Sequence, residues 1–245
     1  MRRTIYVSVA VLIVVMAAAV RNSQTMHAQT HEQMTRQGGP ATYSSMASLD
    51  LYLMDREAEI ALARSAAPEA ISRDATVLVL GRHGYQTAAT GNNGFVCLVE
   101  RAWMSPFNNP DFWHPKIRGP LCLNPQAVRS ILPITIKKTE IALAGQSKAQ
   151  IMQGMKEAYG KGELPALEPG AMSYMMSKGA YLTDNGGHNL AHLMFYAPPM
   201  EGADWGADLP NSPVILGQKG PPEPFTLFIV PVGKWSDGTP APVPK

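Results

Sequence analysis

Apolar residues recur along the chain in different patterns, and each pattern predicts a different element. Over Leu49–Ala66 they return at helical spacing opposite charged positions, which predicts a helix that Pro68 ends. The apolar runs Thr76–Leu80 and Phe95–Glu100 predict two buried strands. Because a Gly/Asn-rich turn stands between these runs, we expect them to form a hairpin.

Helical spacing returns in the middle of the chain. Short helices are expected at Pro125–Leu132 and Ile134–Ala144. The capping box Ser147–Gln150 predicts a third helix that runs to about Tyr159, because its first and last side chains satisfy free backbone N–H groups. The segment Trp103–Pro125 is rich in proline and aromatic residues, which predicts an ordered loop without regular structure.

Strand-like runs follow in the last third, at Ala171–Met176, Leu193–Ala197 and Phe225–Val232. Strands at both ends of the chain with helices between them are typical of an α+β fold. We therefore expect an antiparallel sheet with several helices on one side, in a single domain over residues 46–238.

The N-terminus has the three parts of a secretory signal peptide. Arg2 and Arg3 precede the uncharged apolar stretch Thr4–Val20, and small residues then allow a cut after Ala19 or Ala28. We assign residues 1–28 to the signal peptide and its cleavage region. The prediction is a secreted or periplasmic protein without a membrane span after signal removal.

Two further segments lack the periodicity of helices or strands. Residues 29–45 are polar, which predicts a flexible lead-in to the domain. Residues 239–245 form a Pro-rich tail that we expect to be extended or disordered.

Charge limits the classes of partner. The net charge is +2 and only 16% of the residues are charged, without a dense basic cluster. Nucleic-acid binding depends on such a cluster, so no nucleic-acid partner is expected. A small molecule or an envelope component is the expected partner.

The chain contains two cysteines, Cys97 and Cys122. In an exported protein an even number of cysteines predicts a disulfide. The bond would close a loop of about 25 residues and stabilise the fold by about 3 kcal/mol. The alternative is two buried free thiols.

The run that ends in Arg82-His83-Gly84 is similar to the strand and signature of the histidine phosphatase superfamily. That resemblance implies that His83 accepts a phosphoryl group while Arg82 holds it, which is reasonable chemistry for an imidazole beside a guanidinium. In that superfamily a long helix follows the motif, whereas a turn and a strand are expected here. Local hydrogen bonding is the alternative role for His83.

A second candidate site contains His188 and His192. Four residues apart, they share one face of a helix or of a strand, so both could ligate one metal ion. Zn or Cu suits imidazole, and the nearby thioethers of Met194 and Met200 favour Cu(I). A third ligand would come from His114, Asp184 or Glu201. The alternative is that the histidines form ordinary hydrogen bonds and the methionines fill the core.

Several longer motifs resemble a family of uncharacterised secreted bacterial proteins. They are Asn93–Arg101, Gly119–Cys122, the segment from Gly187 to Tyr196, and Val232–Gly238. The resemblance implies export and a shared fold, and it carries no activity or site residue. The family's histidine segment is richer in histidine, so its departure in this chain weakens the expectation of a metal there.

Together these patterns predict an exported protein whose domain binds a ligand or associates with the envelope. The competing hypothesis is a hydrolase, either phosphatase-like through Arg82 and His83 or metal-assisted through His188 and His192.

Overall fold

A mixed sheet forms the centre of the molecule in the computed structural model, which describes residues 43–184 and 190–242. The strands are β1 (Thr76–Gly81), β2 (Gly84–Ala89), β3 (Val96–Glu100), β4 (Gly119–Leu123), β5 (Met172–Met175), β6 (His192–Ala197), β7 (Ile215–Lys219) and β8 (Thr226–Pro231). Their order in the sheet is β2-β1-β3-β4-β5-β6-β8-β7. Neighbours are antiparallel except β1 and β3, which are parallel.

Helices cover this sheet. Within the described ranges they are α1 (Arg56–Arg64), α2 (Glu69–Ser72), α3 (Pro125–Ser130), α4 (Leu132–Leu143) and α5 (Lys148–Gly160), with short 3-10 turns at Leu49–Leu51, Ala102–Met104 and Gly202–Trp205. The predicted α+β class and antiparallel character of the sheet are confirmed. All described residues belong to one compact unit.

The two faces of the sheet are covered by different helices. Leu98 points into a large core that receives side chains from α3, α4 and α5. Its neighbours Cys97 and Val99 point to the opposite face, into a smaller core that contains Ala63 of α1. Three helices therefore share one face, as predicted for several of them, and α1 packs on the other.

The expected hairpin between Thr76–Leu80 and Phe95–Glu100 is wrong. The first run forms its hairpin with β2, across the two-residue turn Arg82–His83, and β3 then returns on the other side of β1 in parallel. The return brings Gly91 against the backbone of residues 74–76, where a Cβ would lie 2.2 Å from the carbonyl oxygen of Asp74. Only glycine allows this crossing without a shift of the backbone.

Strand β4 lies in the segment that was expected to lack regular structure, so that prediction is also wrong. Pro120 pairs with Val99 of β3, whereas only Cys122 and Leu123 of β4 pair with β5. The proline therefore lies beyond the β5 ladder, where its missing N–H breaks no bond to that strand.

Helix boundaries differ from the predicted ones where a side chain caps the backbone. The carboxylate of Asp55 accepts a hydrogen bond from the backbone N–H of Ala58 at 3.0 Å, so α1 begins after Asp55 rather than at Leu49. The capping box at Ser147 is present and starts α5 as predicted. Strand β7 was not predicted, because its residues Gly217 and Gln218 interrupt the apolar pattern.

The predicted disulfide is confirmed. Cys97 and Cys122 lie directly opposite each other on β3 and β4, and their Sγ atoms are bonded. The bond joins two interior strands of the sheet.

The described structure extends past residue 238. Lys234 pairs with Pro240 in an isolated bridge, and the buried Ala241 donates its N–H to the carbonyl of Gly233 at 3.0 Å. The predicted signal peptide, most of the lead-in, His188 and the last three residues lie outside the described residues. Within the described ranges, helices long and apolar enough to cross a bilayer are absent.

Candidate functional site

Arg82 and His83 form the exposed turn between β1 and β2. The Arg82 guanidinium is already paired with the carboxylate of Asp50, which is also exposed. Phosphoryl transfer by histidine requires an enclosed site with several aligned donors. An exposed imidazole on a hairpin turn does not favour the phosphatase-like hypothesis.

His192 occupies the first position of β6 and is buried. Its Nδ1 lies 2.7 Å from the carbonyl oxygen of Leu190. Because a carbonyl oxygen only accepts, Nδ1 carries the proton and Nε2 is left with a lone pair. Burial lowers the pKa of His192, which keeps the ring neutral at pH 7.

The additional metal ligands considered from the sequence are engaged elsewhere. His114 bonds through Nε2 to the Asp184 carboxylate at 2.7 Å, and its Nδ1 accepts the backbone N–H of Lys116 at 3.1 Å. Glu201 pairs with Lys219. Groups of three or more His, Cys, Asp and Glu arranged to hold a metal are absent from the described part of the chain.

A buried polar cluster lies between the sheet and α4. Lys138 of α4 places its Nζ 3.6 Å from the Glu223 carboxylate and 4.3 Å from the centroid of Phe107. Glu223 also accepts a hydrogen bond from the amide of Gln218 at 2.8 Å. Lys138 is almost fully buried, so this cation depends on these partners.

Glu100 is the second carboxylate of this cluster. Burial raises the pKa of Glu100 to about 7, against the opposing effect of the Lys138 charge. Burial likewise lowers the pKa of Lys138. The nearby Tyr159 hydroxyl is buried without a hydrogen-bond partner in the described structure.

A second buried ion pair lies at the same end of β3, where Arg101 follows Glu100. The Arg101 guanidinium lies 2.9 Å from the Glu59 carboxylate, and both side chains are fully buried. Arg101 also donates to the carbonyl of Tyr52 at 2.8 Å, and Glu59 accepts the N–H of Leu80 at 3.1 Å. All these partners are internal, so this pair joins α1 to the sheet and is closed to a ligand.

A groove of about 410 Å³ opens at the surface beside the buried cluster. One wall is the segment 44–49 before α1, and the other is the connection from α4 to α5 with the first turn of α5. Its apolar surface comes from Met46, Ala47, Leu49, Trp113 and Leu143, and its polar groups come from Ser44, Ser45, Gln146, Ser147, Lys148 and Gln150.

Lys148 supplies the charge of the groove. Its Nζ lies 5.5 Å from the centroid of Phe112, and Lys138 lies 5.7 Å from the same ring on the side of the buried cluster. Within the described ranges, Lys148 forms no ion pair with a carboxylate. The Phe112 ring therefore lies beside an ammonium group that no carboxylate of the described residues neutralises.

Neither the groove nor the buried cluster is predictable from local patterns in the sequence. Lys138 and Glu223 are far apart in the chain, and each is an ordinary charged residue locally. The aromatic residues of Trp103–Pro125 were the one indication in the sequence. Phe107 contacts Lys138 in the buried cluster, Phe112 lies beside Lys148, and Trp113 lines the groove.

Comparison of the chain with protein-family models, with curated proteins and with solved structures finds no match.

Proposed function

We propose that this protein is an exported binding domain that holds a small anionic molecule with an apolar body in the groove. The observation that carries the proposal is the Lys148 ammonium, which pairs with no carboxylate among the described residues, at a groove lined in part by apolar side chains. An anionic group would pair with Lys148, while hydroxyl and amide groups of the walls would orient the rest of the ligand.

The size and shape of the groove support binding of a small molecule. Its volume of about 410 Å³ lies within the range of ligand pockets in proteins. Trp113, Leu143 and Leu49 supply the apolar contact on which affinity for an organic molecule depends.

The chemistry of the lining favours binding over hydrolysis. Among the described residues that line the groove, His, Cys, Asp and Glu are absent. Activation of a serine hydroxyl or of a water molecule needs a general base within hydrogen-bond reach. The hydroxyl of Ser147 instead bonds to Gln150 as part of the helix cap.

A pair of fluorescent probes tests the proposal. Anilinonaphthalene sulfonate carries an anionic group on an aromatic body, and N-phenylnaphthylamine is its neutral counterpart. Lys148→Met should weaken binding of the sulfonate by about tenfold, the equivalent of 1.4 kcal/mol, and should change binding of the neutral probe much less.

The matched control is Lys156→Met, which removes an exposed lysine of the same helix away from the groove. This variant should bind both probes as the wild type does. Equal losses of sulfonate affinity in the two variants would show that net charge alone attracts the probe, and the proposal would then fail.

Export is part of the proposal. It is supported by the disulfide, since such bonds persist in oxidising compartments, and it agrees with the resemblance to secreted bacterial proteins. The intact mass of protein recovered from the periplasm or the medium should correspond to a chain that begins after Ala19 or Ala28. A full-length chain retained in the cytoplasm would contradict export.

A further inference from the structure

We infer that His192, Met175 and Met194 form a binding site for Cu(I) on the face of the sheet that α3–α5 cover. This site lies apart from the groove, and the inference does not depend on the proposed function. The site is defined by the pairing of β5 with β6, the hydrogen bonding of His192 and the chemistry of the three donors.

Strand pairing brings the three side chains to one place. Met175 lies directly opposite His192 on β5 and β6, and Met194 lies two residues further along β6. Directly opposed residues have their Cβ atoms about 5 Å apart on the same face, and diagonal neighbours about 7 Å. Met175 and Met194 both belong to the large core, which confirms that they share a face.

The hydrogen bond of His192 prepares its ring as a ligand. Nδ1 donates to the Leu190 carbonyl, which fixes the ring orientation and leaves the Nε2 lone pair without a partner among the described residues. Metal-binding histidines are generally oriented by such a bond from the nitrogen that does not bind the metal.

Space and access are compatible with an ion. The Met175 methyl lies 3.5 Å from the point where a side chain at Gly119 of β4 would begin. The thioether arm therefore extends toward β4 in this structure, and it would reach an ion at His192 by rotation about its flexible side-chain bonds. His192, Met175 and Met194 each keep 7% of their surface exposed, so the site is buried but can be reached from solvent.

The donor set selects the ion. Two thioethers and one imidazole are soft, neutral ligands, and such ligands favour Cu(I) over harder cations. Three neutral groups bury a monovalent ion at lower cost than a divalent one. Zn²⁺ would need a fuller set of imidazole, thiolate or carboxylate ligands, which the described residues do not assemble.

Competition with bathocuproine disulfonate under anaerobic conditions tests the inference on the untagged chain. The wild type should retain about one equivalent of Cu(I). Met175→Leu and Met194→Leu should each weaken retention by about tenfold or more, and His192→Asn should abolish it. Methionine-to-leucine changes conserve volume, so these variants should fold even if the histidine variant does not.

Met176→Leu is the matched control, because Met176 is the next residue in the chain and belongs to a different cluster. It should retain Cu(I) as the wild type does. The cysteines are joined in the disulfide, so thiolates cannot account for retention while the bond is intact.

Four outcomes would overturn the inference. Retention of less than about 0.2 equivalents by the wild type, unchanged retention in both methionine variants, and stoichiometric Zn²⁺ binding in place of Cu(I) each contradict it. Loss of retention in a His188→Asn variant but not in His192→Asn would place the metal elsewhere.

Discussion

Single residues in this protein combine burial with charge in ways that set its response to pH. Glu100 illustrates this, since its hydrogen bond from Thr135 is long, at 3.4 Å, and the charge of Lys138 is shared with Glu223. Desolvation therefore prevails over attraction, and the pKa of Glu100 rises to about 7. The residue is protonated in the folded protein at pH values where the unfolded chain has released its proton.

This shift predicts a loss of stability as the pH rises. Between about pH 4.5 and 7 the folded state binds the Glu100 proton and the unfolded state does not, so the free energy of unfolding falls with pH. A rise of the Glu100 pKa from 4.5 to about 7 corresponds to a loss of about 3 kcal/mol. Glu100→Gln should abolish this loss, which urea unfolding at several pH values would measure.

The exposed Glu140 of α4 provides the comparison. Glu140→Gln should leave the pH dependence of unfolding close to that of the wild type. If the Glu100 variant keeps the full dependence, the raised pKa is not its cause.

At the scale of elements, features that depend on neighbouring residues in the chain were predictable, and features that depend on tertiary contacts were not. The capping box of α5 is a local signal, and it gave the start of that helix correctly. The two-residue turn at Arg82–His83 has no residue typical of a tight hairpin turn, so β2 was missed. Pro120 is unfavourable in a strand, so β4 was not predicted. The strand can form because Pro120 lies beyond the residues of β4 that pair with β5.

The candidate site likewise combines features that neighbouring residues or the residue count predict with features that only tertiary contacts determine. The disulfide followed from the cysteine count, because two cysteines allow a single pairing. The groove depends on how the segment 44–49 meets the start of α5, a long-range contact that has no periodicity in the sequence. From the sequence, Lys148 is therefore notable only as a residue of the capping box that starts α5.

The crossing between β2 and β3 gives a prediction about an element. In Gly91→Ala the new Cβ would overlap the backbone of Asp74 and Thr76, so the loop must move away from the start of β1. The free energy of unfolding should fall by about 2–3 kcal/mol in chemical denaturation.

Gly233→Ala serves as the control, since a Cβ there meets no atom within 4 Å and the backbone is not left-handed. It should change stability by less than about 0.5 kcal/mol. Similar effects of the two substitutions would show that the crossing is not tightly packed.

On the scale of the whole molecule, the sheet is held together at its centre by a covalent bond. The disulfide closes a loop with a sequence separation of 25 residues, which the chain-entropy relation values at about 3 kcal/mol. The double variant Cys97→Ala/Cys122→Ala should therefore unfold at a lower urea concentration than the oxidised wild type. An unchanged midpoint would mean that the denatured chain gains no freedom when the bond is absent.

The pairing of Lys138 with Glu223 has a consequence for the order in which the molecule assembles. One half of the sheet consists of strands β1–β4. These strands and all five described helices precede residue 161 in the chain. A chain that is synthesised from its N-terminus can thus place Lys138 beside Glu100 before Glu223 exists. Because the raised pKa of Glu100 leaves that carboxyl only partly ionised at neutral pH, Lys138 has no fully charged partner at this stage, and an unpaired buried charge costs about 3–5 kcal/mol. We therefore expect water to remain around Lys138 until Glu223 pairs with it, so that closure of this core depends on completion of the chain.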